Sequence, residues 1–412
     1  MVEPGEPLPR GNDPPPAECD VVVVGAGIVG LATARELSLR HDGLRVAVLE
    51  REAEPGTHQT GRSSGVVHAG VYYAPGSLKA RLCVEGAREL YAYCEERGIP
   101  FTRGGKLIVA TRPEEIPRLD ELECRGVANE VAGLRRVGAD EIAAIEPHAV
   151  GLEALHSPAT GTVDFRRVAA SYATDLTVRG GSVTVSCDVR SVSESGGAVV
   201  VRHALGTTHA RALVSCAGAW SDRLAVASGA PNDPRIVPFR GGYLLLKPER
   251  AHLVRSNVYP VPDPDLPFLG AHLTRGHDGR VLLGPTALMV GARDAYRAGR
   301  VRPADLAQTL SWPGTWRMAA KHWRAGLREL RHAFNPGALV REAQRFLPEL
   351  TREDFVPGPS GIRAQALARD GSLVDDFVLS KLGRCVHVRN APSPAATSSL
   401  AIARLIADEV EL

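Results

Sequence analysis

The chain is 412 residues long and 44% hydrophobic, enough to bury cores for two domains. A formal net charge of +2 singles out neither nucleic acid nor an acidic partner. Seven scattered cysteines (Cys19, Cys83, Cys94, Cys124, Cys187, Cys216, Cys385) form no CxxC pair and no zinc spacing, so no metal centre is expected and a reducing cytoplasm is.

Residues 1–18, rich in Pro, Gly and acid, lack the basic-then-apolar order of a signal peptide and are expected to be a disordered tail. Cys19–Val24 has the Val-rich run of a strand buried on both faces. A glycine turn follows, then helical periodicity over Ile28–Arg40 and a second buried strand at Arg45–Glu50. Leu78–Arg97 predicts an amphipathic helix, Gly105–Thr111 a strand, and Pro113–Arg136 a charged helical stretch. Ser182–Ser186 and Ala198–His203 suggest successive strands of a β-meander, and Arg211–Ala217 a buried strand closed by Gly218. Arg235–Pro248 and Arg280–Gly284 suggest a second sheet. Asp305–Leu350 is mostly helical with breaks at Pro313 and Pro336, and Cys385–Val388 precedes a final helix over Ala395–Val410. No apolar run approaches the roughly 20 residues of a spanning helix.

The turn, Gly25-Ala-Gly-Ile-Val-Gly30, matches GxGxxG. Alone this is weak, since glycine is abundant here. Its setting makes it strong: a buried strand precedes it, a helix follows, and an acid, Glu50, ends the next strand 20 residues after Gly30. Gly25 permits the tight turn, Gly27 lets the backbone approach a pyrophosphate, and Gly30 allows close helix–strand packing. The free N–H groups of the helix start favour phosphates, and Glu50 can accept from a ribose 2′-OH. The fingerprint serves FAD and NAD alike. The absence of a second GxGxxG, together with Ala212-Leu-Val-Ser-Cys-Ala-Gly-Ala-Trp-Ser-Asp222, tips it to FAD, because that run resembles the strand–Gly–Asp element of the D-amino-acid oxidase superfamily.

Long blocks then carry a resemblance to the L-2-hydroxyglutarate oxidase/dehydrogenase family of that superfamily. They include His58-Gln-Thr-Gly-Arg-Ser-Ser-Gly-Val-Val-His-Ala-Gly-Val-Tyr-Tyr73, Gly105-Lys-Leu-Ile-Val-Ala-Thr111, Val237-Pro-Phe-Arg-Gly241 and Tyr259-Pro-Val-Pro-Asp263. Pro267-Phe-Leu-Gly270, His272-Leu-Thr-Arg275, Gly361-Ile-Arg-Ala-Gln-Ala366 and Asn390-Ala-Pro-Ser-Pro-Ala-Ala-Thr-Ser398 continue it. The resemblance implies an α/β fold: a Rossmann-like FAD-binding domain with a doubly wound, mostly parallel sheet and a β-meander, plus an α+β substrate domain with a mostly antiparallel sheet. The first is expected from 19–88, 152–235 and 355–412, the second from 89–151 and 236–354.

It also implies oxidation of an (S)-2-hydroxy acid to the 2-oxo acid, L-2-hydroxyglutarate to 2-oxoglutarate, by hydride transfer from Cα to flavin N5. FAD contacts are expected from Gly25, Gly27, Ile28, Val29, Gly30, Glu50 and Arg51. The block after His58 adds Thr60, Arg62, Ser63, Ser64 and Gly65. Val189, Gly218, Asp222, Arg363, Pro394, Ala395, Ala396 and Thr397 follow. Arg363 is the candidate partner of the substrate carboxylate, with Arg240, Arg275 and Lys79 for a second carboxylate and Tyr259 beside them. A base must take the hydroxyl proton; His68 is the first candidate and His272 the second. The Pro392–Ser398 turn before the last helix offers N–H groups to the negative edge of a reduced flavin.

Departures from the family fall in the substrate half: Gly242 where an acid is usual, Gly284-Pro-Thr-Ala287, and Gly291-Ala-Arg-Asp-Ala-Tyr296. They keep open a fold retuned to another hydroxy acid, a secondary alcohol or an amine, the last resembling glycine or sarcosine oxidases. A third reading is a membrane-docking flavoprotein, since Trp312–Leu330 mixes Trp312, Trp316 and Trp323 with Arg317, Lys321, Arg324 and Arg328. The plainer reading of that segment is helices packing on one another. The electron acceptor is expected to be dioxygen or, with docking, a membrane quinone at the inner face of the membrane.

Overall fold

The computed structural model describes residues 14–263, 270–297 and 299–412. Most of the expected tail, and residues 267–269 of one family block, lie outside them.

Two sheets organise the chain. In the first, Glu18–Val24 lies between Val46–Leu49 and Gly206–Ser215, parallel to both, and Ser182–Thr184 extends the parallel edge beyond Val46–Leu49. Alternation explains why these strands are apolar throughout. Val21, Val23 and Val214 enter a core shared with the helices Ile28–Arg40, Phe165–Val178, Leu78–Arg97 and Ser399–Asp408. Val22, Val24 and Leu213 enter a second core with Val192, Val199 and Val201 of the antiparallel meander Val189–Ser195, Ala198–His203 and Gly206–Ser215. Ser182–Thr184 is thus a parallel edge strand and not part of the meander, as its periodicity suggested.

The second sheet has nine strands, mostly antiparallel. Its backbone is the long pair Arg235–Leu246 and Phe355–Leu367, extended through Val281–Gly284, His272–Arg275, Asn257–Pro260, Lys106–Ala110 and Glu153–Ser157. One face is dry: Leu107, Val109, Val258, Leu273 and Leu283 pack against Leu339, Val340, Phe346 and Leu347. The other face bounds a large cavity. Glu153–Ser157 and Phe355–Leu367, grouped from sequence with the FAD-binding segments, hydrogen-bond into this second sheet. The helix expected over Pro113–Arg136 ends earlier: Ile116–Ala128 is helical, and Arg135–Gly138 is an edge strand with Val137 buried opposite Ala154. Its inward positions Leu119, Leu122 and Gly126 stop there, so the 3.6-residue period stops too. The last helix begins at Ser399, after a turn over Pro392–Ser398.

One buried ion pair fastens the two sheets together. Asp222, on the helix Ser221–Ala227, pairs bidentately with Arg293, both almost fully buried. Its Oδ2 also accepts from the Ile236 N–H at 2.9 Å, at the start of the strand Arg235–Leu246 of the second sheet. Arg293 donates in addition to the Ala219 carbonyl, and its own N–H is held by Asp305 at 2.9 Å. Removing one partner strands the other charge in a dry site. Arg293→Ala is therefore expected to destabilise the fold by about 3–5 kcal/mol, read as a lowered urea midpoint at unchanged slope.

Candidate active site

The glycine turn is built as its sequence demands. Gly25 has φ 101°, and a Cβ there would sit 2.6 Å from the Cys216 carbonyl oxygen. A Cβ on Gly30 would collide with the Gly25 oxygen, so helix and turn can touch only through glycine. Gly27 meets nothing but the Thr60 hydroxyl at 3.5 Å, leaving its backbone open to an approaching group. Glu50 is buried at the end of its strand, with Oε2 accepting from Ala26 N at 2.7 Å and Oε1 from Glu52 N at 3.0 Å. Burial raises its pKa, yet each carboxylate oxygen keeps a lone pair for a ribose hydroxyl.

From this turn a cavity of about 1200 Å³ runs to the inner face of the second sheet. Ordinary small-molecule sites span about 300–1,000 Å³, so there is room for a dinucleotide and a small substrate together. Every residue expected to contact FAD lines it except two. Gly65 lies behind the wall, accepting from Val163 N at 2.8 Å. Asp222 is spent on Arg293 and Ile236, which corrects its assignment. The Pro392–Thr397 turn lines the cavity, and Thr397 Oγ1 accepts from His68 N at 3.1 Å, fixing one histidine against that turn. The open backbone at Gly27, the buried acid at Glu50 and the length of the cavity fit FAD.

Strand alternation decides which residues reach the far end. On the second sheet, His272, Tyr259, Tyr243 and Arg363 line the cavity. Arg275 is of the opposite parity to His272; it caps the carbonyls of Ala251 and Val254, both at 2.8 Å. Arg240 likewise lies off the cavity wall and donates to the Tyr296 carbonyl at 3.3 Å. Neither reaches the cavity, which corrects both substrate assignments. Lys79 does line it, but Asp375 neutralises it at 2.7 Å. Gly242 is also absent from the wall: its N–H donates to Thr286 Oγ1, and a side chain there would meet Arg240 Nη1 at 3.2 Å. The departure from the family at that position therefore concerns Arg240 rather than the cavity.

Arg363 lies deep in the molecule and is reached through the cavity; desolvation lowers its pKa, with Tyr243 opposing. His272 stacks on Tyr259 at 3.9 Å, and its Nδ1 lies 2.8 Å from the Gly270 carbonyl. A carbonyl only accepts, so Nδ1 carries the proton and Nε2 is the bare nitrogen. Desolvation, opposed by that bond, pushes the His272 imidazolium down to about 3, and His68 falls well below its usual value for the same first reason. His68 Nε2 lies 3.3 Å from Ser393 Oγ, and its buried Nδ1 has no partner among the described residues.

Two further kinds of residue, tyrosines and a lysine, complete this end of the cavity without a motif to announce them. Tyr243 and the pair Tyr72–Tyr73 line the cavity. Lys106 lies behind the wall, fully buried, with Nζ 4.2 Å from the Tyr259 ring centroid and 5.0 Å from that of Tyr72. A lysine opening an otherwise apolar strand was the signal available for it.

Residues 20–409 match the family described as FAD dependent oxidoreductase, DAO. The chain is 47% identical to the human mitochondrial L-2-hydroxyglutarate dehydrogenase over 409 residues, covering 95% of this chain and 88% of that one. It is 43% identical to the L-2-hydroxyglutarate dehydrogenase of Indibacter alkaliphilus over 383 residues, covering 93% and 96%. Among solved structures, an FAD-bound L-α-glycerophosphate oxidase from Mycoplasma pneumoniae superposes with a TM-score of 0.76 at 22% identity, covering 94% and 93%. A glycine oxidase from Geobacillus kaustophilus does so with 0.72 at 20%, covering 96% of each. The last two establish the fold alone. With a cavity shaped for a dinucleotide and relatives alike over nearly its whole length, the chain belongs to the FAD-dependent oxidoreductases of the DAO family and, within them, to the L-2-hydroxyglutarate dehydrogenases.

Proposed function

We propose that this enzyme oxidises L-2-hydroxyglutarate to 2-oxoglutarate. The observation that carries the reading is the far end of the cavity, where Arg363 and two neutral histidines meet at the inner face of the second sheet. FAD, when bound, supplies the acceptor for the hydride leaving Cα. Arg363 holds the carboxylate next to that carbon, and its fork fixes the orientation. His272 takes the hydroxyl proton on Nε2, because the Gly270 carbonyl keeps Nδ1 protonated. His68, preferred from sequence, stands opposite on the Ser393 side and holds the hydroxyl oxygen in line.

His272→Gln with flavin retained is expected to lower kcat by about 10²–10⁴, and His68→Gln by less. The opposite order would exchange the two roles. Full activity in both would favour amine oxidation, which needs no base. Both imidazoles are depressed, so the basic form persists as pH falls. kcat/KM should therefore show no acid limb near the unperturbed value of about 6.5; a limb there would contradict the assignment. Steady-state rates on a panel of (S)-2-hydroxy acids test the substrate, and L-2-hydroxyglutarate should lead by a wide margin.

The electron acceptor we favour is a membrane quinone, with dioxygen as the alternative. No described helix is long and apolar enough to cross a membrane. The Trp312–Leu330 region, however, is only partly packed. Trp312 is buried and donates to the Leu367 carbonyl at 3.0 Å. Trp316 is 59% exposed, and Trp323, Leu327, Leu330 and Phe334 form one exposed stripe of the helix Trp323–Phe334, with Phe334 81% exposed. Exposed Arg317, Lys321, Arg324 and Arg331 surround it. An apolar stripe rimmed by cations suits the surface of an anionic bilayer. The free cysteines fit a reducing compartment, and we place the enzyme on the cytoplasmic face. Flotation should occur with vesicles containing anionic lipid and fail for Trp323→Glu/Phe334→Glu. Wild-type protein that stays at the bottom of the gradient would retire the docking and leave dioxygen as the acceptor.

A further inference from the structure

Among the described residues, Lys106 is a charge without a counter-charge. It opens the strand Lys106–Ala110, opposite Asn257 in register, on the parity that faces the cavity. The side chain is 2% exposed, and no described carboxylate pairs with it. Its neighbours are the π faces of Tyr72 and Tyr259. Around this nest stand Cys83 and Lys79 from the long helix, His68 from the preceding loop and His272 from the next strand but one. Of these, Lys79 already has Asp375, and the histidines are neutral.

Burying an unpaired ammonium costs free energy that a leucine or methionine would not. Burial, only partly opposed by Cys83, pushes this one down to about 7. A fold keeps such a group where an anion arrives to meet it. Tyr72 and Tyr259 are the wall between Lys106 and the cavity, and both line it. Among the described residues, the buried Tyr72 hydroxyl has no hydrogen-bond partner and the Tyr259 hydroxyl has Thr274 Oγ1 at 3.5 Å. An ammonium on the π face of a phenol withdraws electron density and makes the hydroxyl a better donor.

We propose that Lys106 is the positioning residue for the second carboxylate of the substrate, acting through the Tyr72–Tyr259 wall, and that it sets the preference for diacids over monoacids. This rests on the diacid reading above. Arg363 then orients the carboxylate beside the reacting carbon, while Lys106 draws the other toward the two phenols.

The test compares L-2-hydroxyglutarate with its distal amide, equal in shape and neutral at that end, in wild type, Lys106→Met and Lys106→Arg. The preference for the diacid in kcat/KM should fall about tenfold or more in Lys106→Met, through KM, and persist in Lys106→Arg; the scale is that of a charge-assisted hydrogen bond. The melting temperature of Lys106→Met should hold or rise, since a buried charge has gone. Equal losses on both substrates, or an intact preference, would overturn the proposal, and so would a fall in melting temperature with the preference kept. If Lys106→Met does not fold, the wild type decides by flavin-spectral titration. Affinity for 2-oxoglutarate over its amide should weaken as pH rises through about 7, and a flat ratio would count against Lys106. Wild type that ignores the diacid altogether would refute the substrate reading instead, so the two failures are distinguishable.

Discussion

The reacting end of this enzyme depends on the pleat of one sheet. A strand sends alternate side chains to opposite faces, and the nine-stranded sheet turns one parity to a dry core and part of the other to chemistry, the rest packing under Leu119 and Leu122. Leu107, Val258 and Leu273 meet apolar helices and loops, whereas on the opposite face of the same three strands Tyr259 and His272 line the cavity and Lys106 lies behind Tyr259. A slip of one residue would exchange Leu107 for Lys106, Val258 for Tyr259 or Leu273 for His272. The long pair Arg235–Leu246 and Phe355–Leu367 sets the register, placing Phe239 opposite Arg363 and so aiming the arginine into the same space.

The two ends of the cavity solve opposite electrostatic problems. At the turn end, backbone N–H groups and a helix start offer partial positive charge, and one acid, Glu50, is buried to meet a ribose. At the sheet end, cations and neutral imidazoles gather, and Asp375 pairs directly with Lys79 while also acting on Arg363. Cations gathered in a desolvated site are costly, and an incoming dianion would relieve that cost. The Asp222–Arg293 pair holds the two ends in fixed relation, joining a helix of the first sheet to the start of the second.

What the sequence made legible follows from how local each signal is. The strand–turn–helix–acid unit from Glu18 to Glu50 is contiguous, and the helices Ile28–Arg40 and Leu78–Arg97 begin and end where their periodicity does. Ser77 caps the latter by accepting from Ala80 N, and Gly98 closes it in the left-handed region. Non-local facts were harder. Arg240 and Arg275 have the right chemistry on the wrong parity, and only pairing partners reveal a strand's two faces. Asp222 looked like a cofactor ligand because its partner, Arg293, lies 71 residues away. Lys106 was hidden by the rule that lysines are solvated. The indole-rich helices pack through Trp312, while the outward face of Trp323–Phe334 is exposed, a difference between neighbouring indoles that their spacing does not reveal.

The central claim is that a flavin in this cavity takes its hydride from the α-carbon of L-2-hydroxyglutarate. The most direct measurement is anaerobic addition of that substrate to the purified flavoprotein, followed by visible absorbance. The account predicts rapid, stoichiometric bleaching of the oxidised flavin band by the L enantiomer and none by the D enantiomer. A flavin that stays oxidised with the L enantiomer, or bleaches equally with both, would contradict it.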